Sequence, residues 1–464
     1  MRFAEQFKPF LIRRIIYPIH GIVSGRPILR RAEELEKTQW LAARELEELQ
    51  WKKLNMLLDR VRRDVPYYEE LFKRHGIGAR AVQSPEDLRK IPVLRKKDIR
   101  ASGRAMISKK SSPRDLKKTS TSGSTGENIF FYQDRNCRAY FLGNMLRQRR
   151  WMGVEPGERE VMIWGSAFDL DVAERITGRL KAYFANLSYI SAYGLNDNTM
   201  AARIAILRKL RPPLITGYAS ALYVFARYML DHDIRDIRPR AVISSAEMLY
   251  GPQRAIIEQA FGCRVFDRYG SREFGTIAHE CEHGGRHLTM ERLFVEVARE
   301  EDRQWGVEPG ELIITDLDNF GMPMIRYCIG DMGTLEESAK YCPCGRGLAL
   351  MKEVSGRSFD LVRTPSGSLL PGTFWTILTK AVPGIVQFQL VQKTLNEIEL
   401  RICTDDTFPF DGKDGLRRII EEHCGPGMNV EIKQVDHIAP GKTGKFRYVI
   451  SEIGPATTEK VETP

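Results

Sequence analysis

Between residues 160 and 320 short apolar, β-branched runs alternate with stretches of helical period. The runs Val161–Trp164, Leu214–Tyr218, Ala241–Ser244, Val265–Phe266, Phe294–Val297 and Leu312–Thr315 have the length and residue types of strands. Ala201–Leu210 and Ala219–Asp231 carry the spacing of crossover helices, and strand, helix, strand in this rhythm predicts an α/β domain. After Gly356-Arg357 the texture changes to a smaller α+β unit, with strands near Val386–Gln392 and Ile398–Ile402, a helix near Leu416–Glu422 and a Gly/Pro/Lys-rich loop at Pro440–Gly444. The expected division is an arm over residues 1–31, a large α/β domain over 32–355 and a small α+β domain over 356–464. From Arg31 to Val65 the pattern predicts one long charged helix with Trp40, Leu41, Leu46, Leu49, Leu54, Leu57 and Leu58 on its apolar stripe, stopped by Pro66.

In the arm Phe3, Phe7, Phe10, Leu11 and Ile15 recur at near-helical spacing, and residues 1–31 carry seven Lys/Arg against one acid. This basic amphipathic segment reads either as an interfacial helix on an anionic membrane or as an arm packing its Phe stripe on the body. The longest apolar run, Ile15–Val23, is interrupted by Pro18 and His20 and falls short of the roughly 18 residues a membrane span needs. Arg13 and Arg14 stand where a signal peptide would have an uncharged core.

A length of 464 residues calls for more than one core, and 42% apolar with 28% charged residues excludes a disordered chain or a coiled coil as the whole answer. The net charge of +11 favours anionic partners such as nucleotides, acidic headgroups or nucleic acid without choosing among them. Eight cysteines at ordinary density argue against a disulfide scaffold, so a reducing cytoplasm is the expected setting.

The densest local signal is Thr119-Ser120-Thr121-Ser122-Gly123-Ser124-Thr125-Gly126, a run of small residues in which six carry hydroxyls. Such a loop suits a polyphosphate, because glycines let backbone N–H groups converge and hydroxyls add donors without bulk. It is not a Walker loop, and taken alone such a run is more often a flexible linker. Downstream stand Ser245-Ala246-Glu247, Tyr269-Gly270-Ser271-Arg272-Glu273, Tyr327 with Gly330-Asp331, Gly356-Arg357 and Thr443-Gly444-Lys445-Phe446-Arg447. In that order the set resembles the adenylate-forming superfamily of acyl-CoA synthetases, and more narrowly the phenylacetate-CoA ligase family in its capsular polysaccharide branch. The narrower likeness also rests on Val65-Pro66-Tyr67-Tyr68-Glu69-Glu70-Leu71-Phe72, on Ser84-Pro85-Glu86-Asp87-Leu88 running into Ile91-Pro92-Val93, and on Gln387-Phe388-Gln389-Leu390-Val391-Gln392.

The resemblance implies an ATP-dependent carboxylic acid ligase with a large adenylation domain and a mobile small domain. It would join a small-molecule acid to AMP and then to coenzyme A, without a nucleic acid partner. By the same resemblance Ser122, Gly123, Ser124, Thr125 and Gly126 hold the β- and γ-phosphates, and Glu273 holds Mg²⁺. Tyr269, with Gly270, lies at the adenine, Ser245, Ala246 and Glu247 line the nucleotide, Asp331 accepts both ribose hydroxyls, and Arg357 supports the ribose or α-phosphate. Lys445 neutralises charge as carboxylate attacks the α-phosphate. Two places depart from the family pattern: Glu127 follows the phosphate loop, and Phe359 with Asp360 stands beyond the hinge arginine. Pocket walls for the acid fall at Phe130–Tyr132, Trp164–Gly165, Tyr218 and Ser244–Ala246.

His279-Glu280-Cys281-Glu282-His283 satisfies His-Glu-x-x-His, the zincin pattern, whose histidines must share one helix face. Gly284-Gly285 would end such a helix at once, so the pentapeptide is expected to be an exposed loop rather than a protease site. Cys281, His287, Cys342 and Cys344 offer an alternative, a four-ligand structural Zn²⁺ site built around the compact Cys-Pro-Cys pair.

Overall fold

The computed structural model describes residues 2–78, 81–120, 129–164, 176–192, 197–298, 310–336, 341–357, 362–365, 369–370, 382–425, 427–438 and 448–453. The phosphate-loop residues Ser122, Gly123, Ser124, Thr125 and Gly126, together with Glu127, Gly165, Phe359, Asp360 and Lys445, lie outside the described residues. Two compact units emerge, one of residues Met1–Glu296, Ile313–Ile329 and Leu335–Lys352, the other of Val297–Leu312, Gly330–Thr334 and Glu353–Pro464.

The first unit begins with helix α1 (Arg2–Leu11), a π turn over Ile12–Ile16, then α2 (Tyr17–Ser24), α3 (Ile28–Thr38), α4 (Ala43–Asp64), α5 (Pro66–Arg74) and α6 (Lys96–Ser102). The expected single helix from Arg31 to Val65 is therefore broken at Gln39–Ala42. The reason is tertiary: Gln39 is buried, its side-chain oxygen accepts from Trp151 Nε1 at 2.8 Å and Arg346 Nε at 3.1 Å, and its carbonyl accepts from Gly347 N at 3.0 Å. Trp40 is exposed, not part of an apolar stripe. Pro66 does end α4, and it also opens α5 from the first turn, where its missing N–H costs nothing.

A hairpin of β1 (Lys117–Ser120) and β2 (Phe130–Gln133) leads into α7 (Arg135–Trp151). Asp134 caps α7 by accepting from Cys137 N at 2.8 Å. The central sheet follows, with β3 (Glu160–Trp164), α8 (Ile176–Ala185), β4 (Leu187–Ser191), α9 (Asp197–Leu210), β5 (Leu214–Tyr218), α10 (Ala219–Asp231), β6 (Ala241–Ser245), α11 (Gly251–Phe261), β7 (Val265–Ser271), β8 (Gly275–Glu280) and β9 (Arg286–Leu288). Its order is β4-β3-β5-β6-β7-β8-β9, parallel through β7 and antiparallel from β7 to β9. Val161, Ile163, Ile215, Val242 and Val265 from the parallel strands meet Leu222, Phe225, Met229 and Ile257 from α10 and α11 in one core. Strands buried on both faces need that continuous apolar character, which is why the sequence pattern located them.

Further strands β10 (Leu293–Ala298), β11 (Gly310–Asp316), β12 (Tyr327–Leu335) and β13 (Met351–Arg357) form a four-stranded sheet in that order. The short β14 (Val362–Arg363) and β15 (Leu369–Leu370) pair antiparallel. In the second unit β16 (Ile385–Thr394), β17 (Glu397–Thr404), α12 (Gly412–Cys424), β18 (Asn429–Gln434) and β19 (Val449–Ser451) form a sheet of order β18-β17-β16-β19. Leu390, Leu400 and Ile402 from that sheet and Leu416 and Ile420 from α12 share its core. Among the described residues no helix is long and apolar enough to cross a membrane.

Candidate functional site

In an open α/β sheet ligands bind at the carboxyl ends of the strands, where loops leading to opposite faces of the sheet leave a crevice. Ser245, Ala246 and Glu247 lie at that end of β6, and the pairing of Ser245 with Arg268 sets Tyr269, Gly270 and Glu273 beside them at the end of β7. Ser245 Oγ and Arg268 bridge the two strands at 3.2 Å. Ala246 is held at φ +69, a costly conformation for a residue with a Cβ. Glu247 sends a carboxylate oxygen to Ser220 N at 2.9 Å, capping the N-terminus of α10.

The β7–β8 turn carries Glu273. Its backbone requires glycine twice: a Cβ at Gly270 would stand 2.2 Å from Gly275 O, and Gly275 itself has φ +70. Glu273 is buried, and Tyr327 Oη donates to its Oε1 at 3.4 Å. Both flanks of the hydroxyl-rich loop are tied to this turn. On the leading side Arg272 Nη1 donates to Ser120 O at 3.4 Å, and on the trailing side Gln133 Nε2 donates to Arg272 O and Glu273 O, each at 3.2 Å. Gln133 and Arg272 as anchors were not found from sequence, since a lone Gln on a short strand has no pattern to mark it.

Of the expected pocket walls, Trp164 and Tyr218 meet with ring centroids 4.4 Å apart and planes tilted by 46°, Phe131 is buried and Phe130 is exposed. Ser244 Oγ is buried without a hydrogen-bond partner among the described residues, at the end of β6. In the second unit Asp331 follows Gly330, whose φ of +85 turns the backbone within β12. Arg357 ends β13.

The thiol and imidazole cluster assembles fully within the first unit. The ligand atoms of Cys281, His287, Cys342 and Cys344 all lie within 4.8 Å of one another. Cys281 Sγ and Cys342 Sγ are 3.5 Å apart, and Cys344 Sγ is 3.2 Å from His287 Nε2. His287 Nδ1 is 3.1 Å from Leu348 O, a bond that leaves Nε2 as the lone-pair nitrogen facing the thiols. His283 N approaches Cys281 Sγ at 3.4 Å, the kind of donor that supports a thiolate. Three sulfurs and one neutral imidazole in this compass fit a tetrahedral zinc.

The His-Glu-x-x-His segment is not a helix, and of the expected exposed loop only the turn at Glu282-His283 is exposed. His279 and Glu280 are buried in strand β8, and the chain turns at Cys281–Gly284. Glu280 accepts from Arg254 Nη2 at 2.8 Å and Asp267 N at 3.0 Å, while burial lowers the His279 pKa to about 3. His279 lies in a strand and His283 in the turn after it, so no helix brings the two imidazoles to one face and the protease reading fails.

A family profile described as the CapK C-terminal domain matches residues 362–452. Protein CapK of Staphylococcus aureus is 23% identical over 462 residues, covering 98% of this chain and 100% of that one. The phenylacetate-coenzyme A ligase of Thermus thermophilus is 24% identical over 383 residues, covering 79% and 83%. Among solved structures, 2-hydroxyisobutyryl-CoA ligase in its postadenylation state superposes with a TM-score of 0.70 at 18% identity, over 90% of this chain and 91% of that one.

Proposed function

We propose that this chain, a homologue of CapK and of the phenylacetate-coenzyme A ligases with the fold of an adenylate-forming ligase, activates a small carboxylic acid with ATP and passes the acyl group to the thiol of coenzyme A. The observation that carries the reading is the pair of anchors from Ser120 and Gln133 to the Glu273 turn, beside Ser245–Glu247 at the carboxyl edge of the sheet. Hydroxyl and backbone donors of the loop would then meet phosphate oxygens where a buried carboxylate is also available.

In the first half-reaction a carboxylate oxygen bonds to the α-phosphorus and pyrophosphate leaves. In the second the thiolate sulfur bonds to the acyl carbon and AMP leaves. Ser122, Gly123, Ser124, Thr125 and Gly126 hold the β- and γ-phosphates, and Tyr269 and Gly270 border the adenine. Asp331 accepts from the ribose hydroxyls and Arg357 supports the sugar or α-phosphate. Lys445 meets the charge that builds on the transferring phosphoryl group. Glu273 supplies carboxylate oxygen to Mg²⁺, which when bound neutralises phosphate charge. The adjoining Trp164 and Tyr218 rings suit an acid with an aromatic or apolar body. The smaller unit serves as the lid that carries Lys445. We assign Cys281, His287, Cys342 and Cys344 to a structural zinc, place the chain in the cytoplasm, and on its likeness to Protein CapK give it a role in polysaccharide biosynthesis.

The test is pyrophosphate release from ATP across a panel of aryl, hydroxy, amino and sugar acids, with and without coenzyme A. At least one acid should give release that depends on Mg²⁺, and Glu273→Gln should lower it by on the order of 10²-fold. No release with any acid, or an unaltered rate in Glu273→Gln, would overturn the assignment.

A further inference from the structure

The N-terminal helices are seated on the body by one side only. Ile12 is fully buried, a Cβ at Gly157 would stand 2.8 Å from Pro9 O and 3.1 Å from Ile12 Cβ, and Arg13 pairs with Glu155 at 3.3 Å. The aromatic stripe does not pack on the protein: Phe7, Phe10, Ile15, Ile19 and Ile22 are 46% to 82% exposed. In a continuous α-helix Phe10 and Ile15 would diverge, because a step of five overshoots one turn. The π turn over Ile12–Ile16 closes bonds five residues apart, so that step returns to the same face and α1 and α2 present one apolar stripe.

A second element extends the surface. Leu180, Tyr183 and Phe184 of α8 are also exposed, and Lys8 Nζ sits 4.0 Å from the centre of the Tyr183 ring, joining α8 to α1. The same elements carry exposed basic side chains at Arg14 and Arg179, and residues 1–31 hold seven Lys/Arg against one acid, of which Arg13, Arg30 and Arg31 pair with Glu155 and Glu34.

We propose that this face of α1, α2 and α8 docks on an anionic lipid bilayer. Apolar side chains on one helix face, an aromatic pair and exposed basic side chains are what the headgroup region accommodates. A second copy of the chain fits less well, since it would set two basic segments against each other. The surface is independent of the ligase chemistry, so the enzyme would be held at the membrane without spanning it.

The experiment is flotation of the full-length protein with phosphatidylcholine vesicles, with and without phosphatidylglycerol. Binding should require the anionic lipid and fall as salt rises, the charges being screened within about 10 Å at 0.1 M. The triple variant Phe10→Ser, Ile19→Ser, Ile22→Ser changes only exposed positions, should melt as the wild type does, and should lose binding by on the order of 100-fold. Arg14→Glu should weaken binding to the anionic vesicles by roughly fivefold or more. The proposal falls if the wild type fails to float with anionic vesicles or if the triple variant floats equally well. It also falls if sedimentation shows a wild-type dimer that the triple variant dissociates while neither binds vesicles.

Discussion

Replacing Cys342 with serine removes one sulfur from the cluster and leaves its other three donors in place. A tetrahedral site with zinc–sulfur bonds of about 2.3 Å sets neighbouring sulfurs about 3.8 Å apart. Cys281 and Cys342 already stand at 3.5 Å, so the ion needs an opening of only a few tenths of an ångström. With the ligands held by β8, β9 and the Cys342–Cys344 turn, binding costs little reorganisation and its free energy passes to the folded state. If free zinc exceeds the dissociation constant about 1,000-fold, that contribution is about 4 kcal/mol. Cys342→Ser should therefore lose the metal and melt several degrees lower. Loss of a buried thiol also destabilises by packing alone, so the deciding assay is a chelator. The wild type should carry about one zinc by elemental analysis and drop in Tm when chelated, whereas Cys342→Ser should carry none and ignore the chelator. Cys263→Ser, at a half-buried thiol outside the cluster, should keep both metal and chelator response. A metal-free wild type with a chelator-insensitive melt would refute the argument.

Gln133→Leu removes two hydrogen bonds from the Glu273 turn, worth roughly 1 kcal/mol each. It should raise the Mg²⁺ concentration needed for half-maximal pyrophosphate release as well as lower stability; a stability loss with unchanged Mg²⁺ dependence would make Gln133 purely structural. Lys445→Ala should slow adenylate formation by on the order of 10²-fold while leaving acyl transfer from synthetic acyl-adenylate intact, whereas Asp331→Ala should weaken both steps; normal pyrophosphate release in Lys445→Ala would move the assignment to Lys442. In the second unit burial would raise the Glu399 pKa, but Lys393, Lys433 and Arg401 hold it down to about 2. A carboxylate with a depressed folded pKa contributes stability above its unfolded value and loses it as pH falls from about 4.5 towards 2, a span of at most about 3 kcal/mol before solvent screening of the partly exposed lysines. Urea unfolding followed across that window should show the loss in the wild type and a flatter profile in Glu399→Gln.

The sheet was legible because its strands are buried on both faces and read as β-branched runs; Leu214–Tyr218 and Ala219–Asp231 coincide with β5 and α10 end to end. Helix α7 was hidden for the opposite reason. It buries Asn144, Arg147 and Gln148, with Arg147 paired to Glu291 at 2.5 Å, so its inward face is polar and the apolar period fails. Strand β8 was obscured in the same way, since His279 and Glu280 are buried through partners that come from distant segments. The break at Gln39–Ala42 depends on Trp151, Arg346 and Gly347, which no local pattern announces. The cluster of Cys281, His287, Cys342 and Cys344 was readable because two pairs are close in sequence and only the pairing of distant segments was left to the fold.

The same topology separates the two proposed metal sites. Glu273 stands at the turn before β8 and Cys281 just beyond its end, so the six residues Gly275–Glu280 lie between them as extended chain. At about 3.3 Å per residue the strand spans about 20 Å, too far for an ion held by the cysteines to touch a phosphate beside Glu273. The cluster instead closes the opposite end of the β8–β9 hairpin, where Trp151 meets the His279 and His287 rings edge-on at 5.9 and 5.8 Å. Arg346, two residues beyond Cys344, bonds Gln39 at the α3–α4 break and pairs with Glu282 in the turn after Cys281. An ion there would fasten α3, α4, α7 and the hairpin at one point, while the chemistry proceeds at the hairpin's other end, where glycine at 270 and 275 lets the backbone fold tightly around Glu273.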